Sequence, residues 1–325
     1  MDVLVLGATG KVGHAIARRL VERGDRVRAL VRRPAEAAAI LPDGVESVAG
    51  DVTAPASIGD AVAGCELVFN AMGLPEHWVR DPFVFDRVNA QGTATVVRAA
   101  RAAGARRLVH TSTIDVFHAR PGGPLDEGNL ADYPKPSAYE RSKQKAEELA
   151  LGERGELEVV IVNAAAVYGP GPARDTSLDH TFMAPLVRKR LPLLPPGGMG
   201  VVFADGLALG QLSAAAHGRD GERYILCDCH VSFRELAETV VRVAGRGRVP
   251  PTMPVALAKV MAAGGDAIAR IVRRPPPLTR GQLQFMLWDA VPSSTKAERE
   301  LDWQPTPLEQ GVASSLEALG LLGGS

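Results

Sequence analysis

A chain of 325 residues can bury a large core, and its 37 Lys plus Arg against 37 Asp plus Glu leave a formal net charge of zero. That balance gives no electrostatic footprint for nucleic acid or an anionic membrane, so a small molecule is the expected partner, with a homodimer left open. Three cysteines, Cys65, Cys227 and Cys229, are too few for a disulfide framework, and the Cys-x-Cys pair lacks a second ligand cluster, so packing thiols and no metal are expected.

The first apolar run, Asp2 to Leu6, predicts a strand with no charged leader or long apolar anchor, and the expectation is a cytoplasmic protein. Later the apolar stretch from Pro254 to Val272 is interrupted by Lys259, Asp266 and Arg270, so no membrane span is expected. After the first strand comes Gly7-Ala8-Thr9-Gly10-Lys11-Val12-Gly13, then a helical pattern ending before Gly24. Glycines there let the backbone turn tightly and present N–H groups to a pyrophosphate at the helix N-terminus. The spacing Gly-x-x-Gly-x-x-Gly departs from the usual dinucleotide fingerprint, and glycines that merely ease helix–strand packing are the alternative. Gly7, Thr9, Gly10, Lys11, Val12 and Gly13 are the candidate cofactor contacts in this loop.

A second strand, Arg26 to Val31, ends in Arg32-Arg33, where an NAD site commonly places an acid on the ribose hydroxyls. Guanidiniums there suit the 2′-phosphate of NADP, and a solvated basic turn is the alternative, so NADP is expected with NAD open. A third strand, Val45 to Ala49, leads to Asp51 and Val52, with Asp51 placed to bond the adenine amino group. A fourth, Glu66 to Asn70, runs into Ala71-Met72-Gly73, small residues that would let the backbone pass under the cofactor, with Asn70, Ala71 and Met72 as candidate contacts.

An insertion, Leu74 to Pro82, precedes a predicted helix from Phe83 to Ala103 that carries Asn89. The fifth strand, Arg107 to His110, leads into Thr111-Ser112-Thr113, hydroxyls at the carboxyl end of a parallel strand, the edge where open α/β sheets bind ligands. Ser137 and Glu140 form a capping-box pattern that predicts a helix start. Tyr139 and Lys143 then lie four residues apart on one helix face, where an ammonium can draw a phenol pKa down towards the working range. A surface tyrosine beside a surface lysine is the bland alternative. The sixth strand, Leu157 to Val162, ends at Asn163.

Strands alternating with helices predict α/β architecture, a Rossmann-type doubly wound parallel sheet. Past Tyr168-Gly169-Pro170-Gly171-Pro172 the composition shifts, so residues 1–172 are assigned to the dinucleotide-binding domain, later returns of the chain being allowed, and 173–325 mainly to a smaller substrate-binding lobe. That lobe is expected to hold helices around Gly206 to His217 and Ser232 to Ala244, a strand at Arg223 to Leu226, and a tail helix after Pro307.

Together these residues resemble the extended short-chain dehydrogenase/reductases of the epimerase/dehydratase superfamily, most of all the dihydroflavonol reductase and 3β-hydroxysteroid dehydrogenase branch. The resemblance rests on Gly7/Gly10/Gly13, Asp51, Val88-Asn89 with Gly92-Thr93, Thr111 to Val116, Tyr139/Lys143, Tyr168-Gly169-Pro170 and the tail Lys296 to Leu301 before Trp303. It implies Thr113 as the catalytic hydroxyl, Ser112 as its neighbour and substitute, Tyr139 as proton donor, and Lys143 as pKa modulator and ribose contact. It further implies Asn89, Thr111, Ala166 and Val167 beside the cofactor, and Asn163 and Met199 towards substrate. Nucleotide-sugar members often show Arg-Pro after strand six, where this chain has Asn163-Ala164, and an arginine for the diphosphate, where it has Met199, with Arg188, Lys189 and Arg190 of the neighbouring helix as the alternative phosphate clamp.

The expected function is therefore NADP(H)-dependent reduction of a predominantly apolar ketone, or oxidation of the matching secondary alcohol. The alternatives are a redox-neutral sugar-nucleotide epimerase or dehydratase with tightly held NAD, and a non-catalytic NADP-sensing protein. Phe182, Met183, Phe285, Met286 and Trp288 are candidate pocket lining, although such residues are more often core.

Overall fold

The computed structural model describes residues 1–118, 124–172, 177–272, 280–288 and 290–322. The boundary expected after Pro172 abuts residues 173–176, which lie outside the described residues.

The strands are β1 (Asp2–Leu6), β2 (Arg26–Val31), β3 (Val45–Ala49), β4 (Leu67–Asn70), β5 (Arg107–Thr113), β6 (Pro124–Leu125), β7 (Glu158–Ala164), β8 (Ala166–Tyr168), β9 (Gly198–Phe203), β10 (Arg223–Leu226), β11 (Cys229–Ser232) and β12 (Val291–Pro292). Seven of them form one parallel sheet in the order β10-β7-β5-β4-β1-β2-β3. The order reverses between β1 and β4, which creates the crevice at the strand ends where doubly wound sheets take ligands. In register, Leu6 lies opposite Leu30 on one side and Asn70 on the other.

Both faces of the inner sheet are covered, which is why β1, β4 and β7 read as nearly continuous apolar runs, whereas the edge strand β3 has no fully buried residue. Val3 and Val5 pack with Ile16 and Leu20 of the helix Lys11–Glu22 and with Leu207 of the helix Ala204–His217. Leu4 and Leu6 pack on the opposite face with Val96, Val97 and Ala150, from the helices Gly92–Ala102 and Ala138–Gly152. Each fully buried Val, Leu or Ile among them contributes about 1.5–3 kcal/mol. Asp205 joins two helices of the first face, taking Arg19 Nε at 2.7 Å and Arg18 Nη2 at 2.5 Å.

The chain leaves the main sheet after β7, builds the three-stranded sheet β11-β9-β8, and sends β10 back to pair with β7. Strand β9 has no counterpart in the sequence expectation. Six consecutive buried residues give no alternation to read, and glycines at 198 and 200 mask the strand. The glycines are there because β-carbons would meet the Val231 carbonyl at 2.7 Å and the Cys227 sulfur at 2.9 Å. The predicted helix Phe83 to Ala103 is a short helix Phe83–Phe85, a π-type turn Asp86–Gln91 and the helix Gly92–Ala102.

Candidate active site

The loop after β1 is fixed by contact with the end of β4. Gly7 has φ +81°, and a β-carbon on it would sit 2.5 Å from the Ala71 carbonyl oxygen and 2.9 Å from Met72 Cα. On Gly13 a β-carbon would fall 2.3 Å from the Gly7 oxygen, so the helix lies directly against the turn. Gly10 caps this helix without a side-chain hydrogen bond, which leaves the first-turn N–H groups of Lys11, Val12 and Gly13 uncapped by any side chain. Thr9 lies in the same turn. An uncapped helix start at the sheet's switch point, with a glycine floor that tolerates no side chain, fits a dinucleotide pyrophosphate. Lys11 turns elsewhere: its ammonium meets the Gly169 carbonyl and lies 2.5 Å from Asp179 Oδ2.

At the far end of the crevice Arg32 is exposed, and Arg33 pairs with Glu36 at 3.0 Å. Asp51 accepts from the Thr53 amide at 2.8 Å and hydroxyl at 2.7 Å. These bonds, the amide's first, hold its carboxyl below the usual range against the opposing effect of burial, and the Arg32 charge adds to them. Val52 and Met72 converge on Gly92, whose β-carbon would lie 2.9 Å from Val52 Cγ2 and 3.0 Å from Met72 Cε. Asn70 is fully buried and holds Thr93 and His110, at 3.2 and 3.1 Å, so it braces the crevice from below. Ala166 and Val167 pair with Val201 and Val202 of β9, where the two sheets meet.

The reacting end is built on the helix Ala138–Gly152. The expected capping box is present: the Glu140 amide donates to Ser137 Oγ at 3.0 Å, and the Ser137 amide to Glu140 at 2.8 Å. Tyr139 stacks edge-on against Phe85 at 6.0 Å. Lys143 is buried and donates to the Thr111 carbonyl at 2.9 Å, while the Thr111 hydroxyl accepts from Gln211 at 2.7 Å. Asn89, inside the π-type turn, accepts from the Leu74 amide at 2.8 Å and donates to Ser142 Oγ at 3.0 Å, tying the insertion to the helix Ala138–Gly152. Such wide turns recur at functional sites because they re-aim one side chain.

Thr113 donates its hydroxyl proton to Asp115 Oδ2 at 2.9 Å and accepts the Asp115 amide at 3.3 Å. Ser112 is buried beside it, its hydroxyl without a partner among the described residues. Asn163 is fully buried and donates to the Thr113 carbonyl at 3.0 Å and to Glu147 at 2.7 Å, so it secures the strand end. Met199 is buried in the lobe core with Phe182 and Met183, and Phe285 and Met286 pack on its edge. Trp288 lies under Lys135, whose ammonium is 4.8 Å from the ring.

One electrostatic expectation is overturned. The phenol of Tyr139 is pushed above its ordinary range, by burial first, then by the negative charge of Asp115, with Glu76 and Glu140 adding; only the Thr113 hydroxyl opposes this. Burial also lowers the pKa of Lys143, to about 8, against the pull of Glu147 and Asp115. Burial likewise raises Asp115 to about 6 and Glu76 to about 7. A tyrosine so placed is neutral at physiological pH and keeps its phenolic proton.

Sequence reasoning missed Asp115, Glu76, Gln211 and Glu147. Asp115 was visible as the acid two residues beyond Thr113, and Glu147 as the acid one turn beyond Lys143. Glu76 and Gln211 reach the site from distant segments and leave no local signal. The thiols of Cys227 and Cys229 are both raised by burial, and no group of side chains able to hold a metal occurs among the described residues.

Comparison with known proteins gives concordant matches. The model of the NAD dependent epimerase/dehydratase family matches residues 3–210. Sterol demethylase protein B of Methylococcus capsulatus is 30% identical over 324 residues, covering 97% of each chain. A 4-hydroxy-2-methyl-3-oxo-4-farnesyl-3,4-dihydroquinoline-1-oxide ketoreductase of Stigmatella aurantiaca is 28% identical, covering 99% of this chain and 98% of its own. Among solved structures, that of gox2253 superposes with a TM-score of 0.83 at 28% identity, covering 98% of both chains.

Proposed function

The chain belongs to the NAD dependent epimerase/dehydratase family and is an NAD(P)-dependent oxidoreductase, and we propose that it is an NADP(H)-dependent ketoreductase acting on a predominantly apolar ketone or secondary alcohol. The observation that carries the reaction type is the Tyr139 phenol, kept protonated by burial and by three carboxylates, with the Thr113 hydroxyl beside it. When bound, the nicotinamide supplies the hydride or accepts it. Tyr139 gives its proton to the carbonyl oxygen, and Thr113 hydrogen-bonds the same oxygen as charge develops there. Lys143, anchored on the Thr111 carbonyl, holds positive charge at the floor of the site below about pH 8.

For the cofactor, the reading is supported by exposed Arg32 at the end of β2, where an NAD site would offer an acid, with Asp51 alongside. For the substrate, it is supported by buried Met199 in an apolar strand and by Glu76, Asp115 and Glu140 around the proton donor, since a diphosphate needs cationic partners when it leaves water. The ketoreductase relative points the same way.

The deciding experiment follows NADPH and NADH oxidation against hydrophobic ketones, and binding of UDP-sugars in the presence of either cofactor. NADPH-dependent turnover of an apolar ketone is the expected result. Micromolar affinity for a UDP-sugar, with no apolar ketone turned over, would overturn it.

A further inference from the structure

The helix Val255–Val272 is packed inside out relative to an ordinary surface helix. Its inward contacts are made by the small residues Ala258 and Ala262, which are 0% and 1% exposed and lie against Leu283, Met253 and Leu287. Among the described side chains the large apolar residues opposite those alanines point to solvent: Val260 is 69% exposed, Leu257 44% and Met261 39%, and Val255, in the first turn, is 42% exposed. A core-facing helix does the reverse, and a contiguous apolar face left in water marks an interaction surface.

The base of this helix is basic. Leu194 and Pro251–Met253 are tied together by the bonds Leu194 N to Pro251 O at 3.0 Å and Met253 N to Leu194 O at 2.9 Å. Gly247 sits against Leu186 and Val187, within 3.2 Å of the latter for an added β-carbon. Two stretches thus converge at the helix start, one bringing exposed Arg188, Lys189 and Arg190, the other exposed Arg246 and Arg248. Lys259 follows on the exposed part of the helix. Neither 184–198 nor 244–265 contains an Asp or Glu, the next acid being Asp266 in the second half of the helix, so its base carries a local excess that the balanced charge of the whole chain conceals.

We propose that this outward face and its basic base form a docking surface for an anionic lipid bilayer, with the helix lying in the headgroup region. An exposed apolar stripe flanked by Lys and Arg is the pattern that binds such a surface without crossing it, and no helix among the described residues is long and apolar enough to span a membrane. A second copy of the chain fits less well, because it would cover the apolar stripe while neither stretch at the base carries an Asp or Glu to answer the basic residues of its partner. The helix leans on the helix Arg280–Leu287, whose Gly281 comes within 2.9 Å of Glu76 for an added β-carbon, so the bilayer would lie beside the element that covers the reacting end.

Vesicle flotation of the full chain tests this, with phosphatidylcholine alone and phosphatidylcholine mixed with phosphatidylglycerol, at low and high salt. Flotation with the mixed vesicles is expected, weakened by salt, about tenfold weaker in Val260→Glu, and weaker on the mixed vesicles alone in Arg246→Glu/Arg248→Glu. Both changes are at exposed positions, and an unaltered thermal midpoint checks the fold. Absence of flotation with either vesicle, or flotation that Val260→Glu leaves unchanged, overturns the proposal. A concentration-dependent dimer that Val260→Glu dissociates, without vesicle binding, would assign the face to a second copy and overturn it equally.

Discussion

Thr113 and Asp115 form a closed pair: the threonine hydroxyl donates to the carboxylate at 2.9 Å and accepts the aspartate's own amide at 3.3 Å. A hydroxyl has a single proton to give. While Asp115 is ionised, that proton is committed to it and withheld from a substrate oxygen. Asp115, raised to about 6 by burial against the Thr113 bond, also burdens the Tyr139 phenol with negative charge. Protonating Asp115 frees the Thr113 proton and makes Tyr139 a stronger acid. The rate of carbonyl reduction should therefore fall as pH rises through about 6, and Asp115→Asn should flatten that limb. An identical profile in the variant would show that Asp115 does not gate the donor.

Tyr139→Phe should lower turnover by about 10²–10⁴-fold, the usual worth of a positioned proton donor. The ring contact with Phe85 survives the change, so cofactor affinity should remain near that of the unaltered protein. Single-turnover kinetics with a cofactor titration measures both. Full activity would remove Tyr139 from the chemistry.

Arg32→Ala should weaken NADPH by about 1.5–3 kcal/mol, the worth of a charge-assisted hydrogen bond, and leave NADH nearly unchanged. Arg33→Ala should do less, because Arg33 already pairs with Glu36 at 3.0 Å. Equal or tighter NADH binding by the unaltered protein would argue against a 2′-phosphate site.

Glu76 is raised from 4.5 to about 7, by burial first, with Asp115 and Glu140 adding and the Ser137 hydroxyl opposing. The folded protein then holds more proton than the unfolded chain between about pH 4.5 and 7, so this group's contribution to stability declines as pH rises through that window. Glu76→Gln keeps the Ser137 contact and abolishes the dependence. The variant's advantage should be absent near pH 4 and reach about 1–3 kcal/mol by pH 8, read from thermal or denaturant midpoints. A difference that does not vary with pH would mean that Glu76 is not held protonated by the fold.

The sequence alone determined the parallel sheet, the glycine turn and the capped helix Ala138–Gly152, because each is specified locally. Apolar runs such as Val3 to Leu6 fix strands covered on both faces, Gly7 and Gly13 are required wherever backbones touch, and Ser137 with Glu140 caps a helix from within four residues. Spacing along that helix likewise put Tyr139 and Lys143 on one face. Which way the tyrosine titrates was decided by tertiary structure, since Glu76 and Asp115 come from other segments and burial depends on everything packed above them. The same holds for Lys11, drawn to Asp179 more than 150 residues away, and for the helix Val255–Val272. An apolar pattern states that a face avoids water, and only its neighbours determine whether alanines or leucines are the ones buried.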